Sequence, residues 1–248
     1  MIRNKVDDVR ASFCQRLKAK KFVTDKSGSK MLEIIGQSFL ADEEVIFGEV
    51  NRDYVERELA WYKSMSLYVK DIPGKVPEIW KAVADKNGII NSNYGWCVWS
   101  QSNFSQYKKC LSELIANKDT RRAVMIYTRP TMHSDAFRDG RSDFMCTNAV
   151  QYFIRDGWMD ALVQMRSNDV WAGYRNDKAW QEHVLQKLVS DYNAMTESKI
   201  DAGDIHWSVG SLHCYERNFW MVDCYDKTGA HMKKADYLAA FPDSEFAR

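Results

Sequence analysis

Residues 144–177 read FMCTNAVQYFIRDGWMDALVQMRSNDVWAGYRND, and this stretch carries most of the information about the fold. Its centre predicts a β-hairpin, because AVQYFIR at 149–155 and WMDALVQMR at 158–166 are rich in β-formers and flank Asp156-Gly157. Asp-Gly is a favoured two-residue hairpin turn, since both positions tolerate positive φ. Cys146 lies where a polar segment gives way to the first strand, which makes it the first candidate for chemistry.

Outside this stretch, helical patterns dominate the first half of the chain and strand patterns are more frequent in the second. Apolar residues at helical spacing predict helices over 6–17, 54–65, 76–85, 103–116, 179–195 and 215–225. Runs of β-formers predict further strands over 31–40, 123–128 and 205–211, and the polar residues 129–143 predict a long loop. This order indicates an α/β or α+β fold, and the lack of a linker favours a single domain over residues 1–248.

Composition and charge exclude several classes of protein. The chain has 248 residues, with Lys and Arg totalling 35 against 34 Asp and Glu, so a polybasic nucleic-acid-binding surface is not expected. Abundant aromatic residues argue against disorder, and no stretch approaches the roughly 20 apolar residues of a membrane span. The five histidines lack metal-ligand spacing, so no metal site is expected. Six cysteines without a C-x-x-C pair, in a chain without a signal peptide, indicate free thiols in a reducing cytoplasm.

The surroundings of Cys146 permit two interpretations. Arg121 and Arg122 precede it, and the segment MRSND at 165–169 follows it. Guanidinium groups near a thiol favour the nucleophilic thiolate, and several arginines converging on one point would suit a phosphate. The alternative is that Cys146 is a small buried apolar residue and that the arginines lie on a solvated surface, which is the commoner arrangement. The residues alone leave both interpretations open.

Eight segments distributed along the chain carry a family resemblance. In order they are DKSGSK, EIIG, RELAWY, INSNYGW, RRAVMIYTRP, SDFMCTN, MRSNDVWAGYRND and VGSLHCY. Together they resemble the thymidylate synthase superfamily and, within it, the bacteriophage deoxycytidylate hydroxymethylases. The resemblance implies an α/β (α+β) thymidylate synthase fold, with a large twisted mixed β-sheet flanked by helices. It also implies a homodimer that packs sheet against sheet.

The same resemblance implies a nucleotide-phosphate site made of several cations. Arg166 would bind the phosphate, and Ser167 would donate its hydroxyl group. Lys26 occupies a place usually held by arginine and would act as a point charge without the arginine fork. Arg121 and Arg122 would reach the phosphate from a second subunit, so that each active site would be shared by two chains.

By resemblance, Cys146 is the nucleophile. Its thiolate would add to C6 of a pyrimidine ring, and C5 would then be able to attack a one-carbon unit. The donor would be 5,10-methylenetetrahydrofolate, with Trp80, Asp169 and Glu58 on the folate side. Glu58 would activate a water molecule near C5 as the acid–base group. The alternatives for these positions are a surface glutamate and a core tryptophan.

The remaining matched residues would line the nucleotide pocket. His213 and Tyr215 would hydrogen-bond the deoxyribose hydroxyl group. The other residues that would contact the nucleotide are Tyr94, Asn148, Asn168 and Asp169. The alternative for His213 and Tyr215 is packing in the core at a helix start.

Asp177 departs from the thymidylate synthase pattern, which has asparagine at this place. An ionised carboxylate only accepts hydrogen bonds, so it suits the amino group of cytosine and a protonated N3 better than it suits uracil. It would also stabilise positive charge that develops on the ring. The C-terminal segment FPDSEFAR at 241–248 differs from the apolar tail of thymidylate synthases, which would let water reach the site. Both departures favour hydroxymethylation of dCMP.

Three alternatives stay open on the sequence. The first is a folate-dependent dCMP C5-methyltransferase, in which hydride replaces water, and the second is a hydroxymethylase of the ribonucleotide CMP. The third is a nucleotide- or RNA-binding protein without catalysis, for which Cys146 would be dispensable. The leading interpretation implies synthesis of modified phage DNA in the host cytoplasm, by a protein that binds neither nucleic acid nor membrane.

Overall fold

The computed structural model describes residues 4–246, so the last two residues of the segment 241–248 lie outside it. Its central element is a six-stranded sheet with the order β1-β2-β6-β5-β4-β3. The strands are β1 (Val23–Thr24), β2 (Lys30–Leu40), β3 (Val124–Ile126), β4 (Thr147–Arg155), β5 (Trp158–Asp169) and β6 (Asp201–Tyr215).

The sheet is mixed. The pairs β1–β2, β2–β6, β3–β4 and β4–β5 are antiparallel. Strands β5 and β6 run in the same direction, since Asp201 donates to the Gly157 carbonyl at one end and Val170 donates to the His213 carbonyl at the other. The hairpin predicted from the sequence is the pair β4–β5, and its turn residues have the positive φ values that Asp-Gly supplies, 50° and 84°.

Nine α-helices accompany the sheet within residues 4–246. They are α1 (Val6–Lys18), α2 (Arg52–Ser64), α3 (Glu78–Val83), α4 (Tyr94–Trp99), α5 (Gln106–Ala116), α6 (Met132–Asp135), α7 (Ala172–Thr196), α8 (Phe219–Thr228) and α9 (Lys234–Ala240). Short 3-10 turns lie at Val69–Asp71, Gln101–Asn103, Arg138–Gly140 and Glu216–Asn218.

Several element boundaries differ from the sequence predictions. The helix predicted from residue 103 begins at Gln106, because Phe104 and Ser105 adopt left-handed backbone with φ of 61° and 48°. Helix α7 begins seven residues earlier than predicted, at Ala172. The prediction of a helix from residue 215 was wrong, since β6 extends to Tyr215 and a 3-10 turn precedes α8. The polar segment 129–143 contains α6 and a 3-10 turn, so it is not wholly a loop.

The chain folds into two compact units, each with its own core. The first unit comprises the residues up to Val50, Ser167–Ala179 and the residues from His206 onward, and in it α1 packs against α8. The second unit comprises Asn51–Arg166 and Trp180–Ile205. Strands β5 and β6 pass from one unit into the other, and the single domain over residues 1–248 stays a prediction.

The core of the second unit is a cluster of large aromatic side chains. Trp61 and Trp180 are fully buried, and Tyr62 stacks on Tyr94 with ring centroids 5.3 Å apart. Trp180 meets Tyr62 edge to face and donates from Nε1 to the hydroxyl group of Tyr127 over 3.0 Å. Such pairs add to the stability supplied by apolar burial. Helices α2, α4 and α7 are therefore held in fixed positions around this cluster.

Between residues 4 and 246, no helix is long and apolar enough to cross a membrane.

Gly95 in α4 is the position where this packing is tightest. A Cβ atom there would overlap the carbonyl oxygen of Tyr62, a backbone atom that cannot rotate away. We expect Gly95→Ala to lower the free energy of unfolding by about 3 kcal/mol, measured by urea denaturation.

The matched control is Gly229→Ala at the end of α8, where φ is +69° and no atom lies within 4 Å of the added Cβ. It should cost about 1 kcal/mol, from backbone strain alone. Equal losses in the two variants would contradict the packing argument.

Candidate active site

The residues around Cys146 in the second unit form a thiol site, which consists of Phe144, Met145, Cys146 and Arg166. The Arg166 guanidinium donates from Nε to the Met145 carbonyl (2.8 Å) and from Nη2 to the Phe144 carbonyl (2.7 Å). Nη2 also lies 3.6 Å from Sγ of Cys146, and the guanidinium covers the Phe144 ring at 5.0 Å. The arginine thus holds the backbone before the cysteine and places a positive charge against the thiol.

Strand pairing fixes Arg166 relative to Cys146. The Arg166 backbone N–H donates to the Cys146 carbonyl over 2.9 Å, and the next pair in the ladder is Thr147 with Met165. A register shift at Asn148 then places one extra residue in β4. Bulges of this kind frequently redirect side chains beside functional sites. The proximity of Cys146 and Arg166 is therefore a consequence of the hairpin together with this bulge, since the uninterrupted register would pair Cys146 with Ser167.

Cys146 differs from the other cysteines of the chain. All six cysteines lie within the described residues, and Cys146 alone among them is partly exposed. Burial raises the pKa of Cys14 to about 11 and the pKa values of Cys97 and Cys110 to about 12. It raises the pKa of each of the two remaining cysteines as well. These five stay protonated at neutral pH, whereas the guanidinium at 3.6 Å stabilises a thiolate at Cys146.

Glu58 lies in the same unit on α2 and is only 5% exposed. The hydroxyl group of Tyr54, one helical turn earlier, donates to Glu58 Oε1 over 2.6 Å. Nε1 of Trp80 in α3 donates to the same hydroxyl oxygen over 2.8 Å. Trp80 is partly exposed and meets Trp61 edge to face at 5.2 Å. We call Tyr54, Glu58 and Trp80 the glutamate site.

Tyr94 and Asn148 occupy different surroundings. Tyr94 is 4% exposed within the aromatic cluster, between the rings of Tyr62 and Tyr127. Asn148 is half-buried at the bulge, where its Oδ1 accepts from the Thr128 hydroxyl group over 3.3 Å. The role of each in a nucleotide pocket stays a prediction.

In the first unit, Asn168 and Asp177 form a hydrogen-bonded pair, which we call the base site after the role that the resemblance predicts for Asp177. Nδ2 of Asn168 donates to Oδ2 of Asp177 over 2.7 Å. Because a carboxylate only accepts, this contact fixes the orientation of the amide. Asn168 is 3% exposed, and its Oδ1 has no hydrogen-bond partner among the described residues. Gly173 permits the arrangement, since a Cβ there would lie 2.9 Å from the Asn168 amide nitrogen.

Asp169, the next residue of β5, has two different carboxylate oxygens. Oδ1 accepts from the backbone N–H groups of Trp171 and Ala172 and so caps the start of α7. Oδ2 is buried and has no partner among residues 4–246. Such an oxygen can accept a hydrogen bond from an N–H group of a ligand.

The predicted phosphate and sugar residues of the first unit lie at one end of its strands. Ser167 directly follows Arg166 in β5, and Lys26 is exposed in a turn that Asp25 closes through the N–H groups at positions 27 and 29. Burial, together with the charge of nearby Asp25, raises the pKa of Tyr215, which lies near the Lys26 turn. His213 is buried and packs against Tyr215 with ring centroids 5.1 Å apart.

Arg121 and Arg122 are not part of the thiol site of their own chain. Both are exposed, and Arg122 is paired with Glu113 over 2.9 Å. The β3–β4 register places them at the opposite end of the strand pair from Cys146, roughly 20 Å away.

In the described part of the chain, no group of three or more His, Cys, Asp or Glu side chains could hold a metal ion.

Comparison with known proteins assigns the family. The thymidylate synthase family model matches residues 44–229. The chain belongs to the thymidylate synthase family. It is 56% identical over 238 residues to the deoxycytidylate 5-hydroxymethyltransferase of Enterobacteria phage T4, which covers 95% of this chain and 97% of that one. It is 57% identical over 234 residues to the enzyme of the same name from Enterobacteria phage T6, with 94% and 95% covered. A thymidylate synthase from Vesicomyosocius okutanii is 21% identical over 216 residues, with 82% and 76% covered.

Membership in the thymidylate synthase family confirms the resemblance inferred from the eight segments. It does not test the roles of single residues, which stay proposals. Sequence reasoning missed Tyr54, although its spacing of four residues from Glu58 on a predicted helix places both on one face. The contact with Trp80 had no sequence signal, because it depends on how α3 packs against α2.

The contrast among the cysteines predicts selective alkylation. Native protein treated with N-ethylmaleimide at neutral pH should be modified first at Cys146, as measured by mass spectrometry of tryptic peptides. A buried thiol with a pKa near 12 has a thiolate fraction of about 10⁻⁵ at neutral pH, and its contacts exclude the reagent.

In denaturant all six cysteines should react at similar rates, which controls for peptide detection. Modification of Cys97 or Cys110 as fast as Cys146 in the native protein would refute the assignment.

Proposed function

We propose that this chain is a deoxycytidylate 5-hydroxymethyltransferase. It transfers a one-carbon unit from 5,10-methylenetetrahydrofolate to C5 of dCMP with addition of water, and yields 5-hydroxymethyl-dCMP and tetrahydrofolate. The phage relatives support the reaction through their names and their identity over almost the whole chain. The observation that carries the substrate is the Asp177 carboxylate, held by Asn168 where thymidylate synthases have an amide.

The base site reads the edge of cytosine. The Asp177 carboxylate and Oδ1 of Asn168 are hydrogen-bond acceptors. Cytosine offers an N4 amino group and, when protonated, an N3–H, which are donors. Uracil offers O4 at the place of the amino group, so it would set an acceptor against an acceptor. A buried acceptor without a donor costs about 1–3 kcal/mol, which is enough to select one base over the other.

The thiol site starts the chemistry. The Cys146 thiolate donates an electron pair to C6, the S–C6 bond forms, and the C5–C6 π electrons move to C5. Arg166 stabilises the thiolate before the attack. Asp177 stabilises the ring, which carries a proton at N3 while the thiol adds. The result is a C5 nucleophilic enough to form a bond to carbon.

The folate side fits two residues of the chain. Trp80 presents a partly exposed indole whose orientation is fixed by its bond to Tyr54, and a planar pterin can stack on such a ring. Oδ2 of Asp169 is an acceptor with no partner among the described residues, which fits an N–H group of the pterin. When bound, 5,10-methylenetetrahydrofolate supplies a one-carbon unit at the oxidation level of formaldehyde, so water completes the product without a redox step.

Glu58 accepts the proton of the attacking water. Its burial at 5% exposure excludes bulk solvent, and one carboxylate oxygen is already engaged by Tyr54. A general base needs to lie within hydrogen-bond reach of the proton it takes, and a fixed rotamer keeps it there. Once tetrahydrofolate and the C5 proton have left, the water that Glu58 deprotonates attacks the exocyclic methylene carbon on C5. The Cys146 thiolate is then expelled as the S–C6 bond breaks, which restores the C5–C6 double bond and releases the hydroxymethyl product.

The phosphate is bound by side chains of two protomers, most of them cationic. Arg166, Ser167 and Lys26 come from one protomer, and Arg121 and Arg122 come from the partner, which agrees with their distance from Cys146 within one chain. Ile35, Ile126 and Trp158 support a homodimer, because they leave apolar surface exposed on three strands at 72%, 55% and 52%.

We place the enzyme in the cytoplasm of an infected bacterium. The two relatives at 56% and 57% identity are phage enzymes, and no disulfide joins any of the six cysteines, all of which lie within the described residues.

The proposed reaction predicts the mass of the product. Incubation of the protein with dCMP and 5,10-methylenetetrahydrofolate should give a nucleotide heavier than dCMP by one CH2O unit, with tetrahydrofolate as the second product, both detected by mass spectrometry. A methylated nucleotide with stoichiometric dihydrofolate would instead identify a methyltransferase. The same assay with CMP tests the ribonucleotide alternative.

Cys146→Ser is the control for the chemistry. It should abolish tritium release from [5-³H]dCMP while the unfolding transition stays near that of the wild type. Substantial residual release would contradict nucleophilic addition at C6 and would favour binding without catalysis.

Asp177→Asn should shift the preference between bases. We expect kcat/KM for dCMP to fall at least tenfold and tritium release from [5-³H]dUMP to rise, because an amide can donate to O4 of uracil. Asp156→Asn in the hairpin turn is the matched control, since it makes the same chemical change and Asn-Gly preserves the turn. An unchanged ratio of dCMP to dUMP turnover would mean that Asp177 does not read the base.

A further inference from the structure

Tyr54 connects the two outer members of the glutamate site. Its hydroxyl group lies 2.6 Å from Glu58 Oε1 and 2.8 Å from Trp80 Nε1. Tyr54 and Glu58 are four residues apart on α2 and so share one face of the helix. Trp80 comes from α3. One phenol oxygen therefore links two helices and two residues to which the proposed function gives separate roles.

The donors in this chain can be ordered in only one way. Indole Nε1 is a donor and never an acceptor, so Trp80 donates to the phenol oxygen. The single proton of the phenol is then left to donate to Glu58. Burial, together with the charge of Glu58, raises the pKa of Tyr54 well above its ordinary value, so the phenol keeps its proton throughout the working pH range.

The position of Tyr54 is itself fixed by further contacts. The Arg57 guanidinium lies over its ring at 5.3 Å. Arg57 is held in turn by Asp53 at 2.9 Å and by the carbonyl groups of Pro73 and Lys75 at 3.0 and 2.9 Å. The Tyr54 side chain is thus held between the Arg57 guanidinium and the Trp80 indole.

We propose that Tyr54 is a positioning residue that occupies Oε1 of Glu58, so that the proton from water is taken at Oε2. A carboxyl group that accepts a hydrogen bond at one oxygen carries its own proton on the other. The hydrogen bond from Trp80 joins Tyr54, and through it Glu58, to the indole on the proposed folate side. Whatever fixes the Trp80 ring thereby also fixes the orientation of Glu58. This inference rests on the proposed hydroxymethylation.

The effect of Tyr54 on the pH profile has a definite sign. Glu58 has to be ionised to accept a proton, so activity falls as the pH drops through its titration. The Tyr54 donor stabilises the ionised form, and its loss moves the acidic limb of kcat to higher pH. The charged groups against Tyr54 are Glu58 and Arg57 on its own helix, while α3 presents the neutral Trp80 and α4 presents the phenol of Tyr94 to the aromatic side of α2.

The test is the pH dependence of kcat in Tyr54→Phe, with saturating dCMP and 5,10-methylenetetrahydrofolate. We expect kcat to fall about tenfold at neutral pH and the acidic limb to move up by about one pH unit, the effect of one hydrogen bond to a charged group. KM for dCMP should be unchanged, because Tyr54 does not contact the nucleotide in the proposed mechanism. Trp80→Phe removes the indole N–H that donates to the Tyr54 phenol, together with one ring of the indole. It should therefore shift the acidic limb of kcat in the same direction by a smaller amount.

Tyr107→Phe is the matched control. The Tyr107 hydroxyl group also donates to a carboxylate in the second unit, Asp191, over 2.7 Å, but neither of these two residues has a proposed catalytic role. It should lower stability comparably and leave the pH profile at the wild-type position.

The outcomes separate this inference from the proposed function. If the wild type makes 5-hydroxymethyl-dCMP and the limbs of Tyr54→Phe and Trp80→Phe both coincide with it, the positioning role is refuted and the reaction stands. If the wild type does not make this product, the proposed function is what fails. Should Tyr54→Phe not fold, the Trp80→Phe profile decides alone.

Discussion

The guanidinium group of Arg166 is the constraint on which the thiol site depends. An exposed cysteine at the start of a strand would ordinarily be free to move with its loop. Here the carbonyl groups of Met145 and Phe144 accept hydrogen bonds from Nε and Nη2 of the rigid Arg166 guanidinium. The backbone of Arg166 is in turn fixed by its hydrogen bond to the Cys146 carbonyl. A lysine could not make these contacts, because a single ammonium group cannot span two carbonyls and a sulfur in one plane. None of the contacts uses Nη1, which leaves that nitrogen for the proposed phosphate.

A second constraint acts through the aromatic cluster of the second unit. Burial of a carboxylate such as Glu58 is costly unless hydrogen bonds compensate for the lost hydration. The packing of Trp61, Tyr62 and Trp180 holds α2 so firmly that a phenol and an indole can be supplied at fixed distances. The packing that stabilises the second unit therefore also positions the groups that hydrogen-bond around Glu58. The tight approach of α4 to the backbone of α2 at Gly95 serves the glutamate site as much as it serves the core.

What the sequence could predict follows from the range of the interactions involved. The hairpin was predictable, because a two-residue turn and a period of two set the register locally. The pairing of Cys146 with Arg166 was not, because it depends on the one-residue bulge at Asn148. The start of α5 was not predictable either, since the spacing of apolar residues gives no indication that Phe104 and Ser105 adopt positive φ. The start of α7 was missed because its first turns contain polar residues, among them Asp177 of the base site. Tyr54 was missed for a third reason: its partner Trp80 belongs to another helix, and no local pattern encodes that contact.

Selection of the base follows from a mismatch as well as from a match. In the base site one carboxylate and one amide are joined, with one amide N–H of Asn168 donating to Asp177. What remains for a ligand is rich in acceptors. Cytosine fills it with donors, whereas uracil would bring a carbonyl oxygen against it, so the wrong base is repelled rather than merely bound less well. The absence of a side chain at Gly173 is part of this selection, because any Cβ would push the Asn168 amide away and free it to rotate. A freely rotating amide could donate to uracil, and the discrimination would then rest on Asp177 alone.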